Sequence, residues 1–114
     1  MPPALPLELA PRDIKQRIDA GEKLHFVDVR EDHEFAQARI QGATLIPMNT
    51  VPANLQSLEA KADEALLAVY CHHGVRSMNV VNWLRRQGIE NAVSIAGGID
   101  RWSIEVDPSV PRYY

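Results

Sequence analysis

Cysteine is almost absent from this 114-residue chain, and Cys71 is the only one. A lone thiol excludes an internal disulfide framework and is an unusual choice for an oxidising compartment. Long apolar runs are missing too. The longest, Ala65 to Cys71, falls far short of the ~20 residues that cross a bilayer as a helix, so no membrane association is expected. The start, Met1-Pro2-Pro3-Ala4-Leu5-Pro6, has neither the basic opening nor the apolar stretch of a secretory signal. The expected location is the cytoplasm. Aromatic residues make up only 6% and are not interleaved with a basic tract, and the net charge is -3. Both facts argue against nucleic-acid partners.

What is present suits a folded domain. Hydrophobic residues are 46% and charged residues 24% of the chain, a balance that can build a core and is unlike that of disordered segments. The expectation is one domain over residues 1–114, with its core at about 9–102 and an extended tail at 106–114. Proline concentrates at the ends, at Pro2, Pro3 and Pro6 and again at Pro108 and Pro111, so both ends are read as extended. Charge is spread evenly, with six basic and eight acidic residues up to residue 57 and six basic and seven acidic after it. One stretch departs from this. Ala65 to Ile89 contains no Asp or Glu but holds Arg76, Arg85, Arg86, His72 and His73, and Cys71 lies inside it.

Helical and extended patterns alternate. Pro11 followed by Ile14 and Ile18, with Gly21 as the stop, predicts a first helix. Leu24 to Val29 predicts a buried strand that ends at Asp28 and Arg30. A short helix over Glu31–Ala38, a strand over Ala43–Ile46 and a helix over Asn54–Ala62 follow. Leu66 to Tyr70 is the strongest central-strand signal. Ser77, Val80, Val81 and Leu84 then fit one helical face ended by Gly88. Ala92–Ile95 is a last strand, and Gly97-Gly98 turns into a helix containing Trp102. Trp83 and Trp102 are read as packing residues, and His25 and His33 as structural or exposed. This alternation predicts an α/β fold with an open, mainly parallel sheet flanked by helices on both faces.

Cys71 falls where the central strand ends and the loop Cys71-His72-His73-Gly74-Val75-Arg76-Ser77 begins. Ligands in open α/β sheets bind beyond the carboxyl ends of strands, where loop and helix N–H groups converge. An ordinary thiol is mostly protonated at neutral pH, so a nucleophilic role requires surroundings that favour the anion. Loop amides, a helix N-terminus and Arg76 can provide them, and Gly74 permits the backbone turn. The alternative is an inert buried thiol. Arg76 is read as an anion contact and Ser77 equally as a helix cap or an anion contact. His72 and His73 are expected to line the loop mouth. Three consecutive residues rarely converge on one ion, so no metal is expected, and no cofactor is called for.

Taken in order, four segments resemble the single-domain rhodanese-like sulfurtransferases. They are Val27-Asp28-Val29-Arg30 with Glu34, Ile40-Gln41-Gly42-Ala43 leading to Ile46-Pro47, the Cys71–Ser77 loop, and Gly97-Gly98-Ile99 with Trp102. The tail Val106 to Tyr113 is also similar to the end of rhodanese domains fused to adenylating enzymes. The resemblance implies a five-stranded parallel sheet and a persulfide carried on Cys71. It implies loop amides from Cys71 to Arg76 (His72, His73, Gly74 and Val75 between them) that hold the sulfur, and an arginine that meets a small anionic donor such as thiosulfate. A protein sulfur donor or acceptor also fits the family. Asp28 and Arg30 match a strand-end pair that frames the pocket. Arg39 departs from the family, which commonly has histidine there.

Two other functions compete. Phosphatases of related fold place five residues between cysteine and arginine, whereas this loop has four. A non-catalytic binding or regulatory module is the other; some family members lack the cysteine, which this chain keeps.

Overall fold

A computed structural model describes residues 5–113; the proline-rich start at Pro2 and Pro3 and the final Tyr114 lie outside them. In chain order the elements begin with β1 (Glu8–Leu9), α1 (Pro11–Asp19), β2 (Leu24–Asp28), α2 (Asp32–Gln37) and β3 (Thr44–Leu45). Two single 3-10 turns, Met48–Thr50 and Pro52–Asn54, lead into α3 (Leu55–Glu64). Then come β4 (Leu66–Tyr70), α4 (Val75–Arg86), β5 (Ala92–Ile95) and α5 (Gly98–Glu105). The strands lie in the order β1-β5-β4-β2-β3, and every neighbouring pair is parallel.

The unbroken apolar run of β4 has a direct cause in this order. With β5 on one side and β2 on the other, β4 is covered on both faces, so it cannot alternate apolar with polar residues. Leu67 and Val69 point into a core shared with Leu58 of α3 and Val80, Val81 and Leu84 of α4. Leu66, Ala68 and Tyr70 point the other way, to Ile14 of α1 and Ile99 and Trp102 of α5. Cys71 continues the alternation onto the α3/α4 side.

The predicted α/β class and helices on both faces agree with this architecture, and β4 and β5 have the bounds expected of them. Differences are local. The strand expected over Ala43–Ile46 pairs only at Thr44 and Leu45, because Pro47 has no N–H to extend the ladder. The helix after the cysteine loop starts at Val75 rather than Ser77, so Val75 and Arg76 are helical. The tail is not a free extension. Val110 is buried, its carbonyl accepts from Ser103 Oγ at 2.6 Å, and Arg112 Nε bonds Asp100 Oδ1 at 2.8 Å. One apolar side chain and two polar anchors fold the tail back onto α5.

Candidate active site

β4 delivers Cys71 to the floor of the turn into α4. Gly74 caps that helix with φ +107°, a conformation that a residue with Cβ adopts poorly, and this reversal swings the chain over the sulfur. The Gly74 N–H donates to Cys71 Sγ at 3.1 Å and the Ser77 N–H donates at 3.4 Å. Ser77 Oγ lies 3.5 Å from the sulfur and 2.7 Å from Ser94 Oγ, and it donates to the Gly74 carbonyl at 3.2 Å. The hydroxyl therefore serves the sulfur's surroundings and does not cap the helix. Cys71 itself is 1% exposed.

Of the expected cradle of amides, the donors that reach Cys71 Sγ come from Gly74 and from Ser77, one residue past the Cys71–Arg76 loop. Val75 faces outward and is 74% exposed, since it starts a helix whose inner face belongs to Ser77, Val80 and Val81. The loop is braced from behind by α5. Ile99 N–H donates to the Cys71 carbonyl at 2.8 Å and Asp100 N–H to the His72 carbonyl at 3.2 Å. A Cβ on Gly98 would stand 2.4 Å from the His72 oxygen, so only glycine lets the two segments meet.

At the neighbouring strand end, Asp28 and Arg30 are both fully buried. Arg30 Nε and Nη2 donate to the two Asp28 carboxylate oxygens at 2.9 and 2.6 Å. Nη2 also donates to the Ala38 carbonyl at 2.6 Å, and Nη1 to the Glu34 carbonyl at 3.4 Å and to Tyr113 Oη at 2.8 Å. Burial opposes the charge, but these bonds outweigh it and hold the guanidinium cationic. All five of its N–H groups are engaged, which fits a framing role.

Arg76 departs most from expectation. Its Nη1 and Nη2 donate to Glu34 Oε1 and Oε2 at 2.8 and 3.0 Å, so its fork is filled by the chain's own carboxylate. Glu34 sits at the third position of α2, where it accepts from the Glu31 N–H at 3.1 Å as half of a capping box. It also accepts from Tyr113 Oη at 2.7 Å. The Arg76 bonds, opposed by burial and helped by Tyr113, hold the Glu34 carboxyl down at about 2.

Tyr113 closes the group. Burial, with Glu34 adding and Arg30 opposing, pushes its phenol up to about 12. Its ring stacks on His72 at 3.9 Å between centroids, and His72 Nε2 lies 2.8 Å from the Tyr113 carbonyl. A carbonyl only accepts, so Nε2 carries the hydrogen. Burial and then the neighbouring His73 push His72 below the ordinary imidazole value, which keeps it neutral near pH 7. His73 is largely exposed and 3.8 Å from Asp100. His72, His73 and Asp100 come within 4.8 Å of one another, yet Asp100 is engaged by Arg112 and His72 by Tyr113.

Three participants were not read from the residues alone: the part of Glu34 as partner of Arg76, Tyr113, and Ser94 beneath Ser77. The motif matches covered Glu34 and, through the tail, Tyr113 without giving either this part, and no local pattern marks Ser94.

The sequence profile of the rhodanese-like domain matches residues 10–105. The chain belongs to the rhodanese-like family. Among its relatives is the putative sulfurtransferase YtwF of Bacillus subtilis, 35% identical over 101 residues, which cover 89% of this chain and 94% of that protein. The adenylyltransferase and sulfurtransferase MOCS3-2 of Zea mays is 38% identical over 90% of this chain, but the match spans only 22% of the maize protein. A crystal structure of a rhodanese-like domain protein from Staphylococcus aureus superposes with a TM-score of 0.75 at 31% identity, covering 94% of this chain and 98% of that one. The five-stranded parallel sheet with its flanking helices, described above, is the fold shared with that rhodanese-like structure. Among the described residues no helix is long and apolar enough to cross a membrane.

Proposed function

We propose that the chain is a sulfurtransferase that carries a sulfane sulfur as a persulfide on Cys71. The observation that supports this best is the sulfur at the end of β4 accepting two backbone N–H bonds, from Gly74 and Ser77. Such donors stabilise a thiolate and, afterwards, the terminal sulfur of a persulfide. The Cys71 thiolate attacks the outer sulfur of thiosulfate, a bond forms between Cys71 and that sulfur, and the donor's S–S bond breaks with its electron pair leaving on sulfite. A persulfide donor reacts in the same way and releases a thiol. A thiophilic acceptor, small molecule or protein, then takes the outer sulfur and regenerates the thiolate.

In this reading Gly74 and Ser77 hold the sulfur and Arg76 governs the approach of a charged donor. His72, His73 and Val75 line the approach, while Asp28 and Arg30 fix the frame. A lone reactive thiol suits a reducing compartment, and we place the protein in the cytoplasm.

Incubation with thiosulfate should add one sulfur atom to the wild-type chain and none to Cys71→Ala, by intact-protein mass spectrometry. Equal addition to both removes Cys71 as the carrier. The near-complete burial of the sulfur is what favours the second reading, a binding or regulatory module. On that reading neither thiosulfate nor a small persulfide loads the wild-type chain.

A further inference from the structure

We propose that Glu34 sets the charge specificity of the Cys71 site, disfavouring doubly charged sulfur donors relative to donors with a single negative charge. This rests on the reading of Cys71 as a sulfur carrier and deepens it by naming the class of donor.

The Nη1/Nη2 edge of a guanidinium is a planar fork that fits a carboxylate or a sulfur oxyanion equally well. In this chain the fork of Arg76 is taken by both oxygens of Glu34 at 2.8 and 3.0 Å. A donor reaching for Arg76 must compete with a carboxylate that is already tethered beside it. Glu34 does not yield readily, because the Tyr113 hydroxyl and the Glu31 N–H hold it from other sides at 2.7 and 3.1 Å. Its side chain is only 11% exposed. The other cation of the cluster cannot substitute, since every donor of Arg30 is engaged.

The charges around the loop then sum simply. Asp28 offsets Arg30 and Glu34 offsets Arg76, while Asp100 bonds Arg112 on one side and faces His73 at 3.8 Å on the other, and burial pushes His72 toward its neutral form. An incoming dianion meets a thiolate beside two arginines whose charges are already compensated. A monoanion with the same transferable sulfur meets half the repulsion.

Thiosulfate and methanethiosulfonate separate these cases, because they differ by one charge and share the chemistry. With either one, the Cys71 thiolate bonds to the outer sulfur and the donor's S–S bond breaks. The electron pair leaves on sulfite in the first case and on methanesulfinate in the second. Second-order loading rates of the full chain, read by intact mass, should favour methanethiosulfonate in the wild type. Glu34→Gln should shift the ratio toward thiosulfate about tenfold, the scale of one partly screened charge pair. An unchanged ratio overturns the proposal.

The wild type gives an independent measure should the variant fold poorly. Added salt screens repulsion, so thiosulfate loading should accelerate with ionic strength, more steeply than methanethiosulfonate loading. Thiosulfate loading that slows with salt means an attractive site and also overturns the proposal. If a small persulfide loads Cys71 while the charge ratio ignores Glu34, only this inference fails. If no donor loads Cys71, the sulfur-carrier reading fails and takes this one with it.

Discussion

At the end of β2, Arg30 is a closed object: five donors are filled, no side-chain surface is exposed, and Asp28 is buried with it. Beyond the end of β4, Arg76 grips Glu34 with two nitrogens while 32% of its side chain stays exposed. Both are arginine–carboxylate pairs, and they lie beyond the ends of adjacent strands that are in register at Asp28 and Tyr70. The chemistry is the same; the difference lies in how many bonds each partner has to lose. A pair with no unfilled donor and no water contact can only be scaffold, since breaking it strands a buried charge. A pair with unfilled donors at the surface can take on a further ligand without giving up its partner, and only such a pair can respond to a substrate.

The sharpest way to break this contrast is to remove one charge from each pair. Asp28→Asn keeps the side-chain volume but leaves Arg30 uncompensated, and should lower unfolding free energy by about 3–5 kcal/mol. Arg76→Met should cost only about 1–2 kcal/mol, because Tyr113 and the Glu31 N–H remain on Glu34. Chemical denaturation of both variants checks the order. Equal losses would mean that the two pairs are alike in kind.

A second test moves to the brace behind the thiol loop. Gly98 has φ +63°, and an added Cβ would stand 2.4 and 2.5 Å from the carbonyl oxygens of His72 and Cys71. Gly98→Ala should therefore cost about 3 kcal/mol, from the left-handed backbone and the forced shift together. It should also slow sulfur loading, because the displaced segment carries the N–H groups that fix the loop. The same substitution at Gly88, where φ is +94° but nothing lies within 4 Å, should cost about 1 kcal/mol and leave loading alone.

How far this contrast could be read in advance depended on distance along the chain. β4 announced itself because burial on both faces demands an unbroken apolar run. β1 did not, because Glu8 and Leu9 carry no periodicity and become a strand only by pairing with Ser94 and Ile95. The two 3-10 turns before α3 were missed because single turns leave no repeat to detect. At the site, Cys71, Gly74 and Ser77 were legible because one loop holds all three. Arg76 reads from the sequence as a contact for an incoming anion, whereas in the fold both of its terminal nitrogens meet Glu34; that partner was not legible, since it is 42 positions away. Tyr113 is 79 positions from Glu34, and its place depends on how the tail folds over α5.

Tyr113 also supplies the smallest test, because its hydroxyl bridges the Arg30 guanidinium and the Glu34 carboxylate. It accepts from Arg30 at 2.8 Å and donates to Glu34 at 2.7 Å. Tyr113→Phe keeps the ring stacked on His72 and removes only these bonds, so stability should fall by about 1 kcal/mol. The pH dependence carries the sign. The folded phenol is raised from 10.0 to about 12, so the fold favours the protonated form. Its contribution is complete below pH 10, where both states hold the proton, and is lost as pH rises toward 12. The stability difference between wild type and Tyr113→Phe should therefore be flat from neutral pH to about 10 and shrink above it. A difference that stays constant through that window would show that the hydroxyl does not bridge the pairs, and the Arg30 bond to the Glu34 carbonyl would then be their remaining link.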